Sequence, residues 1–156
     1  MNYAEEIGKI LIERNLTIST TESCTGGLLS SKLTDISGSS AYIRLNLVTY
    51  ANEAKEQMLG VVINEEGVVS KNCAYQMAKG LCELTKSDIC VSTTGIAGPT
   101  GGTETKPVGL MYSTIYTKNR YQNYKIQVDS KLDRENIKEL FAQKVLENIL
   151  DFIKEL

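Results

Sequence analysis

Leu16-Thr17-Ile18-Ser19-Thr20-Thr21-Glu22-Ser23-Cys24-Thr25-Gly26-Gly27-Leu28-Leu29-Ser30-Ser31-Lys32-Leu33 decides the fold of this chain. Residues 16–21 are a short run rich in β-branched side chains, the mark of a strand. Leu28, Leu29 and Leu33 then recur at helical spacing. The small residues and glycines between them make a tight turn. A strand that passes through such a turn straight into a helix is a unit of an α/β fold.

The rest of the chain extends that unit on both sides. Residues 3–14 place Tyr3, Ile7, Ile10 and Leu11 on one helical face. Ser37–Ser40 reads as a loop, Leu45–Tyr50 as a strand, Asn52–Leu59 as a short helix and Val61–Ile63 as a brief strand. Residues 71–85 set Ala74, Met77, Ala78, Leu81 and Cys82 on one face of a helix. Ile89-Cys90-Val91 opens a buried strand that ends near Thr94. Gly95, Gly98, Pro99, Gly101 and Gly102 make the next stretch a loop. Val108–Tyr116 and Tyr121–Val128 read as strands joined at Lys118-Asn119 by a hairpin turn. A last helix runs from about Asp133, with Ile137, Leu140, Phe141, Val145, Ile149 and Leu150 turned inward. Helices interleaved with strands predict an α/β layered fold, and the hairpin makes its sheet mixed. No repeat or linker interrupts the pattern, so residues 1–156 read as one domain.

Composition narrows the function. A chain of 156 residues, 42% hydrophobic and 23% charged, can bury a full core. No apolar run is long enough to span a bilayer. Glu5, Glu6 and Glu13 make the first segment a helix rather than a signal peptide, which predicts a cytoplasmic protein without a membrane partner. Cys24, Cys73, Cys82 and Cys90 form no C-x-x-C pair and read as free thiols. The net charge is −2 and no Lys/Arg block stands out, so a nucleic-acid partner is not expected.

The sequence contains no histidine. A Ser-His-Asp triad, a Cys-His dyad and a His-ligated metal site are therefore excluded within one chain. A hydrolase built on this chain needs Lys, Tyr, Asp or Glu as its base, and neither metal nor other cofactor is expected. Ser23, at a strand-to-helix turn, stands beside free backbone N–H groups that can hold an oxyanion, although Ser23 or Thr25 can equally be a helix cap. Cys24 is a rival nucleophile, or a buried neighbour of the turn. Tyr50 and Lys55 can flank a site, but a lysine acts as a base only when neutral, and the plainer reading of Lys55 is an exposed side chain. The amides of the 94–103 loop can cradle a phosphate or simply form a long turn. Arg134 can pair with a phosphate or with a surface carboxylate.

Several segments in register carry a resemblance. Thr21–Gly27, Gly38-Ser39-Ser40-Ala41-Tyr42, Val48–Lys55, Gly67-Val68-Val69-Ser70, Thr94–Thr103 and Lys106-Pro107-Val108-Gly109 together resemble the CinA C-terminal domain family over nearly the whole chain. Asn46 and Leu132 stand where the family usually has glycines. The resemblance implies a three-layer α/β/α sandwich on a mixed, mostly parallel sheet, and a homodimer. It implies an amidohydrolase that converts nicotinamide mononucleotide to nicotinate mononucleotide and ammonia. The competing expectation is a silent pyridine-nucleotide-binding module linked to competence or DNA damage. By the same resemblance Ser23 is the nucleophile, Lys55 its base and Tyr50 a third member of the catalytic group. Thr25, Gly26, Gly27, Thr94, Gly95, Gly98, Gly101, Gly102 and Arg134 are then the expected substrate-binding residues.

Overall fold

The computed structural model describes residues 2–156. In chain order the elements are α1 (Tyr3–Arg14), β1 (Ile18–Glu22), α2 (Leu28–Thr34), β2 (Ile43–Val48), α3 (Asn52–Leu59), α4 (Lys71–Thr85), β3 (Ile89–Gly95), β4 (Leu110–Tyr116), β5 (Tyr121–Gln127) and α5 (Arg134–Lys154). The long helices start where a side chain takes an otherwise orphaned amide: Asn2 accepts from Glu5, Ser70 from Cys73 and Asp133 from Asn136. Helices α1 and α4 end on Asn15 and Lys86 in the left-handed conformation, with φ of 55° and 59°.

The five strands form one sheet in the order β2-β1-β3-β4-β5. β1 runs parallel to both β2 and β3, while β4 is antiparallel to β3 and β5. Four strands therefore point one way and β4 alone opposes them. Apolar side chains fill both faces. Ile7, Leu11, Leu29, Leu33, Phe141, Val145 and Ile149 of α1, α2 and α5 pack with Ile18, Ile89, Val91, Met111 and Ile115 of the sheet. On the opposite face Met77 and Leu81 of α4 pack with Leu59 of α3 and Cys90 of β3. Two cores separated by a sheet make the three-layer α/β/α sandwich that the sequence resemblance implied.

Three local expectations need correction. Val61–Ile63 is not a strand. The Gln76 carboxamide pairs with the Val62 backbone on both sides, accepting from its N–H at 2.8 Å and donating to its carbonyl at 3.0 Å. A side chain on α4 thus does the work of a neighbouring strand. Leu140 is 37% exposed rather than inward. The loop at residues 37–40 tightens into a 3₁₀ turn over Ser39–Ala41.

The chain leaves β1 toward α2 on one face of the sheet and leaves β2 toward α3 and α4 on the other. The carboxyl ends of β1 and β3 thus flank a topological switch point, where a parallel sheet opens a crevice.

Candidate active site

Ser23 is the first residue beyond β1. Its N–H donates to the Thr93 carbonyl at 3.1 Å and reaches the Thr93 hydroxyl at 3.2 Å, so it is pinned to β3. Its hydroxyl faces the crevice, and there it meets Lys55. The separation between Ser23 Oγ and Lys55 Nζ is 3.1 Å. Lys55 projects from α3, the helix that follows β2, and only 1% of its surface is exposed. The expectation of an exposed lysine is thereby set aside.

The amine has two further partners, the carbonyls of Thr49 at 2.8 Å and Tyr50 at 3.0 Å. Carbonyl oxygens only accept, so two of the amine's hydrogens are committed to them. An ammonium would donate its third hydrogen to Ser23. A neutral amine instead directs its lone pair at Ser23, which then donates. Burial lowers the Lys55 pKa below the ordinary lysine range, with the neighbouring Cys73 and Cys24 thiols opposing the shift. Burial also pushes both thiols up, Cys24 to about 12, so neither carries charge near neutrality. Among the described residues no carboxylate pairs with Lys55.

The turn itself rests on Glu22. This fully buried carboxylate accepts from the Thr25 hydroxyl at 2.6 Å, the amides of Leu29 and Ser30 at 2.9 Å each, and the Ser30 hydroxyl. It closes the start of α2 from below, so Ser23 is not the helix cap. Gly26 and Gly27, at φ of 58° and 101°, turn the chain in a conformation that side chains resist. The Gly26 amide is spent on the Ser23 carbonyl, whereas the amides of Cys24, Thr25 and Gly27 have no partner among the described residues.

A cleft of about 240 Å³ lies over the pair, lined by Ser23, Cys24, Tyr50, Lys55, Thr94, Arg134 and the loop from Gly95 to Gly101. Arg134 opens α5 and ties the cleft together, donating to the Gly98 carbonyl at 2.6 Å and to the Tyr50 hydroxyl at 3.1 Å. The loop amides of Ala97, Gly98, Thr100, Gly101 and Gly102 have no backbone partner among the described residues. Ala97, Gly98, Thr100 and Gly101 line the cleft together with Arg134 and form a donor-rich wall suited to an anion.

Not every expected residue reaches this cleft. Thr25 is fully buried, with its hydroxyl given to Glu22 and Thr93, so it supports the turn from inside. Gly26 and Gly27 face a neighbouring groove beside Lys138. Gly102 lies outside the cleft and Gly95 lines it, and both answer to packing: a Cβ at Gly95 would lie 2.6 Å from the Leu110 carbonyl, and one at Gly102 would lie 2.9 Å from the Val108 amide. The Thr94 hydroxyl donates to the Val68 carbonyl at 2.7 Å and can only accept from a ligand. Asn46, on β2 and away from the cleft, accepts from the Thr20 hydroxyl of β1. Two residues escaped the sequence reading, Glu22 as the buried acceptor and Thr93 as the partner of Ser23. Their signal was polarity in strands with no exposed face: Ser19-Thr20-Thr21-Glu22 and Ser92-Thr93-Thr94 are all buried.

A mixed-sheet α/β/α sandwich with a serine hydroxyl against a buried lysine at its switch point defines the class of this protein. The family model of the CinA C-terminal domain matches residues 1–153, and the chain belongs to that family. A CinA-like protein of Chloroherpeton thalassium is 52% identical over 120 residues, covering 75% of this chain and 29% of its own length. A CinA-like protein of Shewanella pealeana is 47% identical over 120 residues, covering 75% and 28%. The chain thus spans less than a third of the length of these relatives. The crystal structure of the competence/damage inducible protein CihA from Agrobacterium tumefaciens superposes with a TM-score of 0.87 at 35% identity, covering 97% of this chain and 95% of that one. A CinA superfamily protein from Klebsiella pneumoniae gives 0.90 at 24% identity over 99% and 97%, a likeness of fold.

Proposed function

We propose that this domain is an amidohydrolase that converts nicotinamide mononucleotide and water to nicotinate mononucleotide and ammonia. The observation that carries the chemistry is the Lys55 amine, buried, bonded to two carbonyls and aimed with its remaining position at Ser23. The substrate follows from the resemblance in the cleft motifs.

Neutral Lys55 takes the Ser23 proton as Oγ attacks the carboxamide carbon. The partnerless amide of Cys24, which lines the cleft beside the nucleophile, receives the developing oxyanion. Collapse of the tetrahedral intermediate breaks the C–N bond. Lys55 returns its proton to the departing nitrogen, and ammonia leaves. Water, deprotonated by Lys55, then hydrolyses the acyl-enzyme and restores Ser23. Arg134 and the loop amides take the phosphate, and the Tyr50 hydroxyl, held by Arg134, borders the ribose side of the cleft.

Ammonia release from nicotinamide mononucleotide, measured for wild type beside Ser23→Ala and Lys55→Met, tests this reading. Wild type is expected to release ammonia and both variants to lose the activity while remaining folded. An inactive wild type that still binds the mononucleotide would replace the amidase with a silent binding domain.

A further inference from the structure

We propose that Thr93 is a positioning residue for the reaction at Ser23, oriented by a hydroxyl relay that ends on the buried Glu22 carboxylate; this rests on Ser23 being the nucleophile. Glu22, Thr25 and Thr93 are each fully buried. The Thr25 hydroxyl donates to Glu22 at 2.6 Å, so its single proton is committed. Thr25 Oγ1 and Thr93 Oγ1 lie 2.9 Å apart, and only Thr93 has a proton left to place between them. The Thr93 oxygen therefore turns lone pairs toward the Ser23 N–H at 3.2 Å. With Glu22 as the final acceptor, one direction of donation satisfies the whole chain from Ser23 to Glu22.

The relay acts on the nucleophile. Ser23 directly follows β1, Lys55 lies on the helix after β2 and Thr93 on β3, so three segments must agree for Oγ to sit 3.1 Å from the amine. The Ser23 N–H has both a carbonyl and a hydroxyl acceptor on Thr93, which fixes the plane of the peptide that carries the nucleophile. It also withholds that amide from the cleft and leaves the oxyanion to the amide of Cys24. Thr93→Val keeps the shape and the backbone bond but loses the hydroxyl, and the peptide is free to tilt. A misplacement of about 1 Å at a reacting group can cost on the order of 100-fold in rate.

The test compares wild type, Thr93→Val and Thr93→Ser in kcat and KM for nicotinamide mononucleotide. It adds the rate at which phenylmethanesulfonyl fluoride sulfonylates Ser23, read by intact mass, and the unfolding temperature. Thr93→Val is expected to slow both kcat and sulfonylation by about 10- to 100-fold, with KM nearly unchanged, and Thr93→Ser to restore both. Thr25→Val breaks the relay one step further out and must slow the reaction likewise; it serves where Thr93→Val does not fold. A Thr93→Val protein as fast as wild type overturns the proposal, and so does a Thr93→Ser protein as slow as the valine variant. A wild type that is sulfonylated at Ser23 but leaves the mononucleotide intact defeats the substrate alone, and the sulfonylation rates still decide the role of Thr93. A wild type inert in both assays removes Ser23 as nucleophile and the relay's purpose with it.

Discussion

At the scale of single residues, Lys55 sets the pH behaviour. Because burial lowers its pKa, the neutral base forms below the ordinary lysine value of about 10.4. The rise of kcat/KM with pH is therefore expected to centre below that value. Lys55→Arg stays charged throughout and is expected to lose at least about 100-fold in rate and the rising limb with it. Stability has the same sign. Between the lowered folded value and about 10.4, the unfolded chain binds a proton that the folded chain does not, so stability rises with pH across that window. It is complete above the unfolded value and lost as pH falls through the folded one. Urea titrations should show wild type gaining on Lys55→Met as pH increases, and a constant gap would refute the shift. The Cys24 thiol, pushed up to about 12, holds roughly one part in 10⁴ as thiolate at pH 8. Iodoacetamide at that pH should leave activity intact, whereas rapid inactivation with label on Cys24 would make it the nucleophile. Sequence alone left Cys24 as a rival to Ser23 or a buried neighbour of the turn, and offered Lys55 as a surface side chain. Burial separates them, and burial depends on the register of β1 against β2 and β3, which no local pattern states.

The elements were more legible than the residues that depend on their packing. Asn52–Leu59 and Lys71–Thr85 follow from helical periodicity alone, and both helices form over those spans. What periodicity does not carry is how they meet. Gly80 of α4 lies against the Leu59 carbonyl at the end of α3, where an added Cβ would collide with backbone. The seat of α3 is therefore set by a missing side chain on α4, and α3 carries Lys55. Gly80→Ala must push the two helices apart, at a cost of about 1–3 kcal/mol for overpacking of this kind. Its kcat should fall as well, since Lys55 Nζ moves with its helix. Urea unfolding and steady-state kinetics on the same preparation test both parts; a stable, fully active Gly80→Ala would show that α3 is seated otherwise. The misread segment at Val61–Ile63 has the same origin. Its apolar, β-branched side chains look like a strand, and Val61 is indeed buried, but the backbone partner is the Gln76 side chain fifteen residues along from Val61.

Across the whole molecule, the proposed phosphate contact depends on charge and topology at one end of the sheet. The chain carries a net charge of −2, so no overall field draws phosphate to it, and attraction must come from a local arrangement. The switch point supplies one: Arg134 at the start of α5 and the partnerless amides of the 97–101 loop border the same cleft as Ser23 and Lys55. These groups come from opposite ends of the chain and meet only because β1 lies at the centre of the parallel strands. A ligand that bridges them should stabilise the whole domain, by about 2.7 kcal/mol at a hundredfold excess over its dissociation constant. For a domain of this size that is a rise in unfolding temperature of roughly 5–10 °C. Ser23→Ala allows the measurement without turnover. Nicotinamide mononucleotide should raise its unfolding temperature, and the corresponding riboside, which lacks the phosphate, should raise it much less at equal concentration. Adding Arg134→Ala should shrink the difference between the two ligands, because the guanidinium is what the phosphate meets. Equal shifts from both ligands in both proteins would mean that the cleft holds the carboxamide end alone, and the phosphate wall would then have to be sought elsewhere on the surface.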